Sequence, residues 1–245
     1  MTKQRTILIT GGAKRIGNQI ARALHEQNCN LMIHYRSSDA CAKQLAADLN
    51  SERQNSCHII KADFTQADSY QQVIKQTINT FGQLDGLVNN ASSFYPTPLS
   101  DITEEHWNDL LTSNLKAPLF LAKHAAAHLK QQHGVIINIV DIYANRPLAN
   151  HTAYCAAKAG LQSLTKSLAI DLAPQVRVNG IAPGAILWPE HEDDEDYQQA
   201  LLQRIPLQRL GEPNDIARTV RFLICDAPYI SGQIIAVDGG RSILP

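Results

Sequence analysis

Long apolar runs are missing from this chain of 245 residues. Runs such as GVIINIV fall far short of the roughly 20 residues that a membrane-crossing helix needs. The opening MTKQRTILITGG has no long apolar centre of the kind that marks a secretory leader. A surplus of charge is missing too. The 22 Lys and Arg stand against 23 Asp and Glu, and a formal net charge of −1 supplies no global attraction to nucleic acid or anionic lipid. Cysteines are few and scattered (Cys29, Cys41, Cys57, Cys155, Cys225). They show no C-x-x-C spacing, which argues against a disulfide framework and fits reduced thiols. His124 and His128 are one helical turn apart, but no third ligand accompanies them, so no metal is expected. These absences predict a cytoplasmic protein with neither nucleic acid nor membrane as a partner.

What is present points to a packed enzyme-like fold. Hydrophobic residues make up 44% and charged residues 18%, enough for a core and too apolar for disorder. Seven short runs, RTILIT, NLMIHY, CHIIKA, LDGLVNN, GVIINIV, VRVNGIA and QIIAVDG, are rich in Ile and Val and lack clean polar alternation. That pattern predicts strands buried on both faces of a parallel sheet. The segments between them hold ten or more residues, as crossover helices require. The expectation is an α/β fold, a doubly wound parallel sheet of about seven strands with helices on both faces, forming one domain over 1–245. Ligands then bind beyond the carboxyl ends of the strands. The acidic stretch PEHEDDEDYQQALLQR predicts a short helix with a favourably acidic start, and a lid over the substrate around residues 186–206.

ILITGGAKRIG reads as a strand, a Gly-rich turn and a helix start. Gly11 and Gly12 permit a tight turn, and Gly17 lets the helix approach the sheet closely. Backbone N–H groups at that helix start suit a pyrophosphate. The second strand ends IHYRSS, with Arg36 and Ser37 where NAD-binding folds place an acid for the ribose hydroxyls. Arg36 can make charge-assisted contacts to a 2′-phosphate and Ser37 can add a hydrogen bond, so NADPH is predicted over NADH. Asp63, in KADF, is placed to reach the adenine edge, and Asn89 and Asn90, in LVNNAS, to line the cofactor; each is equally a loop former.

The helix TAYCAAKAGLQSLTKSLAIDLAP carries the proton chemistry. At about 100° per residue, Tyr154 and Lys158 fall on the face marked by Leu161, Leu168 and Leu172. A Lys on a buried face needs a partner or a task. A neighbouring ammonium is expected to stabilise the Tyr154 phenolate and lower its pKa, and Lys158 can also reach the cofactor ribose. In HWNDLLTSNLKAPLFLA, Asn114 shares a face with Trp107, Leu111 and Leu121, all expected to be buried. Its amide either holds a water in a proton relay or makes a structural hydrogen bond near the break that Pro118 implies.

The TGGAKRIG turn, NNAS, Asn114, the Tyr154/Lys158 pair and the terminal ISGQIIAVDGG resemble the short-chain dehydrogenase/reductase family over essentially the whole chain. The resemblance implies a Rossmann-type fold, hydride transfer and a homotetramer. It also adds Ile16, Tyr35, Ala91, Pro183 and Gly184 to the cofactor-binding residues, beside Gly11, Arg15, Arg36, Ser37, Asp63, Asn90, Ser92 and Lys158. Within that family, GGAKRIG, HYRSS, NNASSFYPTPL, Asp141 and NRPLANHTAY are similar to the pteridine reductases. That narrower likeness implies Phe94 as a stacking platform for a pterin, with Ser92 and Arg15 hydrogen-bonding to pterin and cofactor. It implies Asp141, Tyr154 and Lys158 as the catalytic set, and Trp188 is expected to border the substrate. Family members that reduce carbonyls carry Ser in place of Asp141. A carboxyl near an aromatic ring has a raised pKa and can carry a proton to a ring nitrogen. The expected activity is therefore NADPH-dependent reduction of a dihydropterin or dihydrofolate. A carbonyl or 3-oxoacyl reductase is the alternative, and a non-enzymatic NADPH sensor a lesser one.

Overall fold

The computed structural model describes residues 4–187 and 195–244. All seven apolar runs are strands: β1 (Thr6–Ile9), β2 (Asn30–Tyr35), β3 (Cys57–Lys61), β4 (Gly86–Asn89), β5 (Val135–Ile139), β6 (Arg177–Pro183) and β7 (Ile234–Val237). They form one parallel sheet in the order β3-β2-β1-β4-β5-β6-β7. The crossovers are α1 (Arg15–His25), α2 (Asp39–Glu52), α3 (Ser69–Phe81), α4 (Glu104–Leu111), α5 (Ala117–Gln132), α6 (Thr152–Asp171), α7 (Glu195–Gln203) and α8 (Pro213–Cys225).

The period-2 alternation of the strands sorts the core into two layers. Ile7 and Ile9 pack with Ile20 and Leu24 of α1 and Ile216 and Val220 of α8. Leu8 points the other way, into Val73 and Ile74 of α3, Leu121 and Leu129 of α5 and Leu168 of α6. Each such side chain contributes roughly 1.5–3 kcal/mol on burial. Burial on both faces holds for the inner strands, but β3 and β7 are only partly buried. They are the sheet's outer strands, where the crossover helices run out.

The helix through Asn114 also departs from a smooth 3.6 period. A π turn at Thr112–Lys116 joins α4 to α5. Its extra residue rotates the register, so Leu110 is fully buried while Leu111 is only partly so and Trp107 is 44% exposed. The expectation of a buried Trp107 therefore fails. Asn114 and Leu121 remain inside. Strand order reverses between β1 and β4, and the chain leaves these two ends toward opposite faces. The crevice at such a switch point is where this architecture binds ligands.

Candidate active site

A cleft of about 930 Å³ opens at the carboxyl ends of β1, β2, β4, β5 and β6. At its floor, the turn after β1 is held from two sides. Thr10 Oγ1 accepts the N–H groups of Asn90 and Ala91, both at 3.0 Å, and Asn90 Nδ2 donates to the carbonyls of Thr10 (3.0 Å) and Gly11 (2.9 Å). From the other side, the Gly11 N–H donates to His34 Nδ1 at 3.3 Å, and His34 Nε2 meets the Ala62 carbonyl at 3.1 Å. Since Nδ1 must accept, the proton sits on Nε2 and the ring is neutral. Burial agrees, pushing the His34 pKa down to about 4. His34 was not legible as a site residue, although its place at the end of an apolar strand gave it an inward direction.

The turn fits a dinucleotide. A Cβ on Gly17 would stand 2.4 Å from the Gly11 oxygen, and one on Gly11 2.9 Å from Ala91 Cα, so only bare backbone allows this closeness. The start of α1 has no side-chain cap, leaving its N–H groups for an anion. Arg15 holds φ 50, a left-handed conformation that costs a non-glycine residue about 1 kcal/mol. Its side chain is exposed, and the residue lines the cleft. Arg36 and Ser37, also exposed, stand at the cleft wall, with Arg36 Nη1 3.7 Å from Asp109 Oδ1. Ile16, Tyr35, Ala91, Ser92, Pro183 and Gly184 line the cleft as well. Asp63 and Asn114 do not. Asp63 is exposed and accepts the Thr65 N–H at 3.0 Å, while Phe64 and Thr65 take its expected place at the wall.

The proton machinery gathers where β5 ends. Tyr154 Oη donates to Asp141 Oδ2 at 2.8 Å, and Asp141 Oδ1 accepts the Tyr143 N–H at 2.9 Å. Lys158, 3% exposed, donates to the Ile139 carbonyl at 2.9 Å, its Nζ 5.6 Å from the Tyr154 ring. Burial raises the Asp141 pKa against its hydrogen bonds and Lys158. Burial lowers that of Lys158 to about 8. Tyr154 corrects an expectation. Its pKa is raised well above the ordinary phenol value, first by burial and then by Asp141, because Lys158 is engaged with a carbonyl and not with the hydroxyl. Tyr154 is thus held protonated, with a carboxyl as its neighbour.

Phe94 overlooks this pair. Its ring stacks on His151 at 4.8 Å and 16° and meets Tyr154 edge-on at 4.8 Å and 74°. At 53% exposed, it offers an open face to the cleft. Asn114 supports this loop from beneath. It donates to the Ser93 and Leu110 carbonyls, both at 2.9 Å, and accepts from Ser92 Oγ at 2.7 Å. The structural hydrogen bonds, one of its two sequence readings, are therefore present. Tyr143, His151 and Arg241 also face the cleft and were not expected. Ile186, Leu187, Ala200, Leu201 and Arg204 line its outer edge, whereas Trp188 and the acidic residues 190–194 lie outside the described residues. Among the described residues no helix is long and apolar enough to cross a membrane.

Residues 11–242 match the family described as enoyl-(acyl carrier protein) reductase. The chain is 37% identical to pteridine reductase 1 of Leishmania tarentolae, over 96% of each protein. It is 35% identical to the 3-oxoacyl-(acyl-carrier-protein) reductase FabG of Staphylococcus epidermidis, over 96% of this chain and 98% of that one. The FabG of Staphylococcus aureus is also 35% identical, over 98% and 99%.

Proposed function

The chain belongs to the short-chain dehydrogenase/reductase family, and from that premise we propose that this oxidoreductase is an NADPH-dependent pteridine reductase. Its substrate on this reading is a dihydropterin of the biopterin or monapterin type, or dihydrofolate. The observation that carries the reading is Asp141 hydrogen-bonded to Tyr154 beneath the open face of Phe94. A flat heteroaromatic ring requires an aromatic platform with a few fixed polar groups. Reduction of its C=N bond requires a proton delivered to nitrogen, whereas a carbonyl oxygen needs only a neutral donor.

NADPH, when bound, supplies the hydride. Everything else falls to the chain. Lys14 and Arg15, with the N–H groups that open α1, hold the pyrophosphate; Arg36 and Ser37 hold the 2′-phosphate. Phe94 orients the pterin, with Ser92 and Arg15 at its edge. Asp141 carries one proton beside the Tyr154 phenol, 2.8 Å away and next to the platform, so that the pair is neutral. Giving that proton to a ring nitrogen leaves the pair negative, and the Lys158 ammonium offsets the charge inside a desolvated site. Ile186, Leu187, Ala200, Leu201 and Arg204 line the outer edge of the cleft and shield it from water. Family likeness supports a homotetramer working in the cytoplasm.

The test is NADPH oxidation by purified protein with dihydrobiopterin, dihydromonapterin and dihydrofolate, beside an acetoacetyl thioester. Turnover of a pterin, lowered about 100-fold in Asp141→Ser, is expected from loss of a general acid. The relatives named FabG make 3-oxoacyl reduction the second reading. Turnover of the thioester alone would establish it.

A further inference from the structure

One cation in the cleft has no task in this scheme. Arg241 lies in the turn after β7, is partly buried and lines the cleft. The turn is built to hold it. Asp238 accepts the N–H groups of Gly240 (3.0 Å) and Ser242 (2.7 Å), while Gly239 and Gly240 take the left-handed φ values of 64 and 87. Arg146 Nη1 donates to the carbonyls of Arg241, Ser242 and Leu244. Above this clamp the Arg241 guanidinium stacks over the Tyr143 ring at 5.5 Å, close enough to Asp141 to act on its charge. Among the described residues no carboxylate lies within ion-pair distance of it. Partial desolvation of an unpaired cation is unfavourable, and stacking on one ring returns only about 0.5–1 kcal/mol. The fork of a stacked guanidinium keeps its edge free, the geometry that grips a carboxylate with two hydrogen bonds.

Position decides what it could grip. The other basic residues of the cleft divide by place: Lys14, Arg15 and Arg36 lie around the phosphate turn, and Lys158 is bonded to Ile139. Arg241 lies instead beside Tyr143 and Asp141, and Arg204, exposed, also lines the cleft. We propose that Arg241 forms a subsite for a carboxylate carried on the side chain of the substrate, with Arg204 reinforcing the positive field. Resting on the pteridine reading above, this places folate-type pterins, whose tail ends in an acid, ahead of pterins with a neutral hydroxylated tail.

The measurement is the ratio of kcat/KM for dihydrofolate to kcat/KM for dihydrobiopterin in wild type, Arg241→Met and Arg241→Lys. Arg241→Met should lower the ratio at least ten-fold, and Arg241→Lys should restore part of it. Any change that acts through Asp141 or through general misfolding alters both substrates together and cancels in the ratio. A ratio within two-fold of wild type in Arg241→Met overturns the subsite while leaving pterin reduction intact. If neither pterin is turned over, the pteridine reading fails. The subsite is then judged separately by equilibrium binding of folate and biopterin. A selective loss of folate affinity in Arg241→Met supports it, and equal affinity in both proteins overturns it.

Discussion

Replacing Lys158 with Met should make the protein more stable and inactive at the same time. The ammonium is fully enclosed, and burial lowers its pKa from 10.5 to about 8. At 1.36 kcal/mol per pKa unit, that drop makes the folded state carry ~3 kcal/mol of unfavourable energy at pH 7. Methionine has a similar length and no charge, so the penalty vanishes. The Ile139 carbonyl loses its 2.9 Å donor, which costs about 1 kcal/mol. The net is ~2 kcal/mol in favour of the variant, or about 4–8 °C in Tm for a domain of this size. The sign follows from proton counting. Between pH 8 and 10.5 the unfolded chain binds more protons than the folded one, so wild-type stability rises across that window. The gap should therefore be widest near pH 7 and nearly closed at pH 10. Thermal denaturation of both proteins at pH 7 and 10 measures it, and NADPH oxidation should fall at least 100-fold. A Tm for Lys158→Met below wild type at pH 7 would refute the reasoning, because it would mean that the ammonium supports the fold and is not merely tolerated by it.

Three further outcomes are expected. Arg36→Ala should reduce the preference for NADPH over NADH, read as the ratio of kcat/KM values, by at least ten-fold; an unchanged ratio would remove Arg36 from the 2′-phosphate site. Gly17→Ala places a Cβ 2.4 Å from the Gly11 oxygen and 2.7 Å from Asn90 Nδ2, so equilibrium titration should show NADPH affinity at least ten-fold weaker, with wild-type affinity contradicting the clamp. The pH profile of kcat should fall on its alkaline side near 8 as Lys158 loses its proton, and a profile flat to pH 10 would show that its charge does not matter.

Much of this molecule was legible before its coordinates. Runs of Ile and Val mark buried strands whatever their neighbours do, and a Lys on the Leu161–Leu168 face has to point inward. Other features escaped. The outer position of β3 and β7 is a property of strand order, which no local pattern carries. Trp107 follows from a π turn whose single extra residue leaves no composition signal. The Tyr154 pKa depends on what Lys158 reaches, and that is the Ile139 carbonyl at the end of β5, which no local pattern points to. His34 and Arg241 escaped for a related reason: each acts on backbone or a ring brought near only by the pairing of β2 with β1 and β3, or by the last turn.

The π turn has one more implication. It is one residue longer than the α-helical turn it replaces, so deleting Thr112 or Ser113 would carry the α-helical register of α4 through to Pro118, whose missing N–H leaves one bond unmade. Such a shortened chain would gain regular hydrogen bonds there. It would also swing the Asn114 amide away from Ser92 and Ser93, releasing the loop that presents Phe94. Helix regularity and the shape of the binding floor thus compete at a single codon's worth of length, and a deletion at 112 or 113 is a way to trade one for the other.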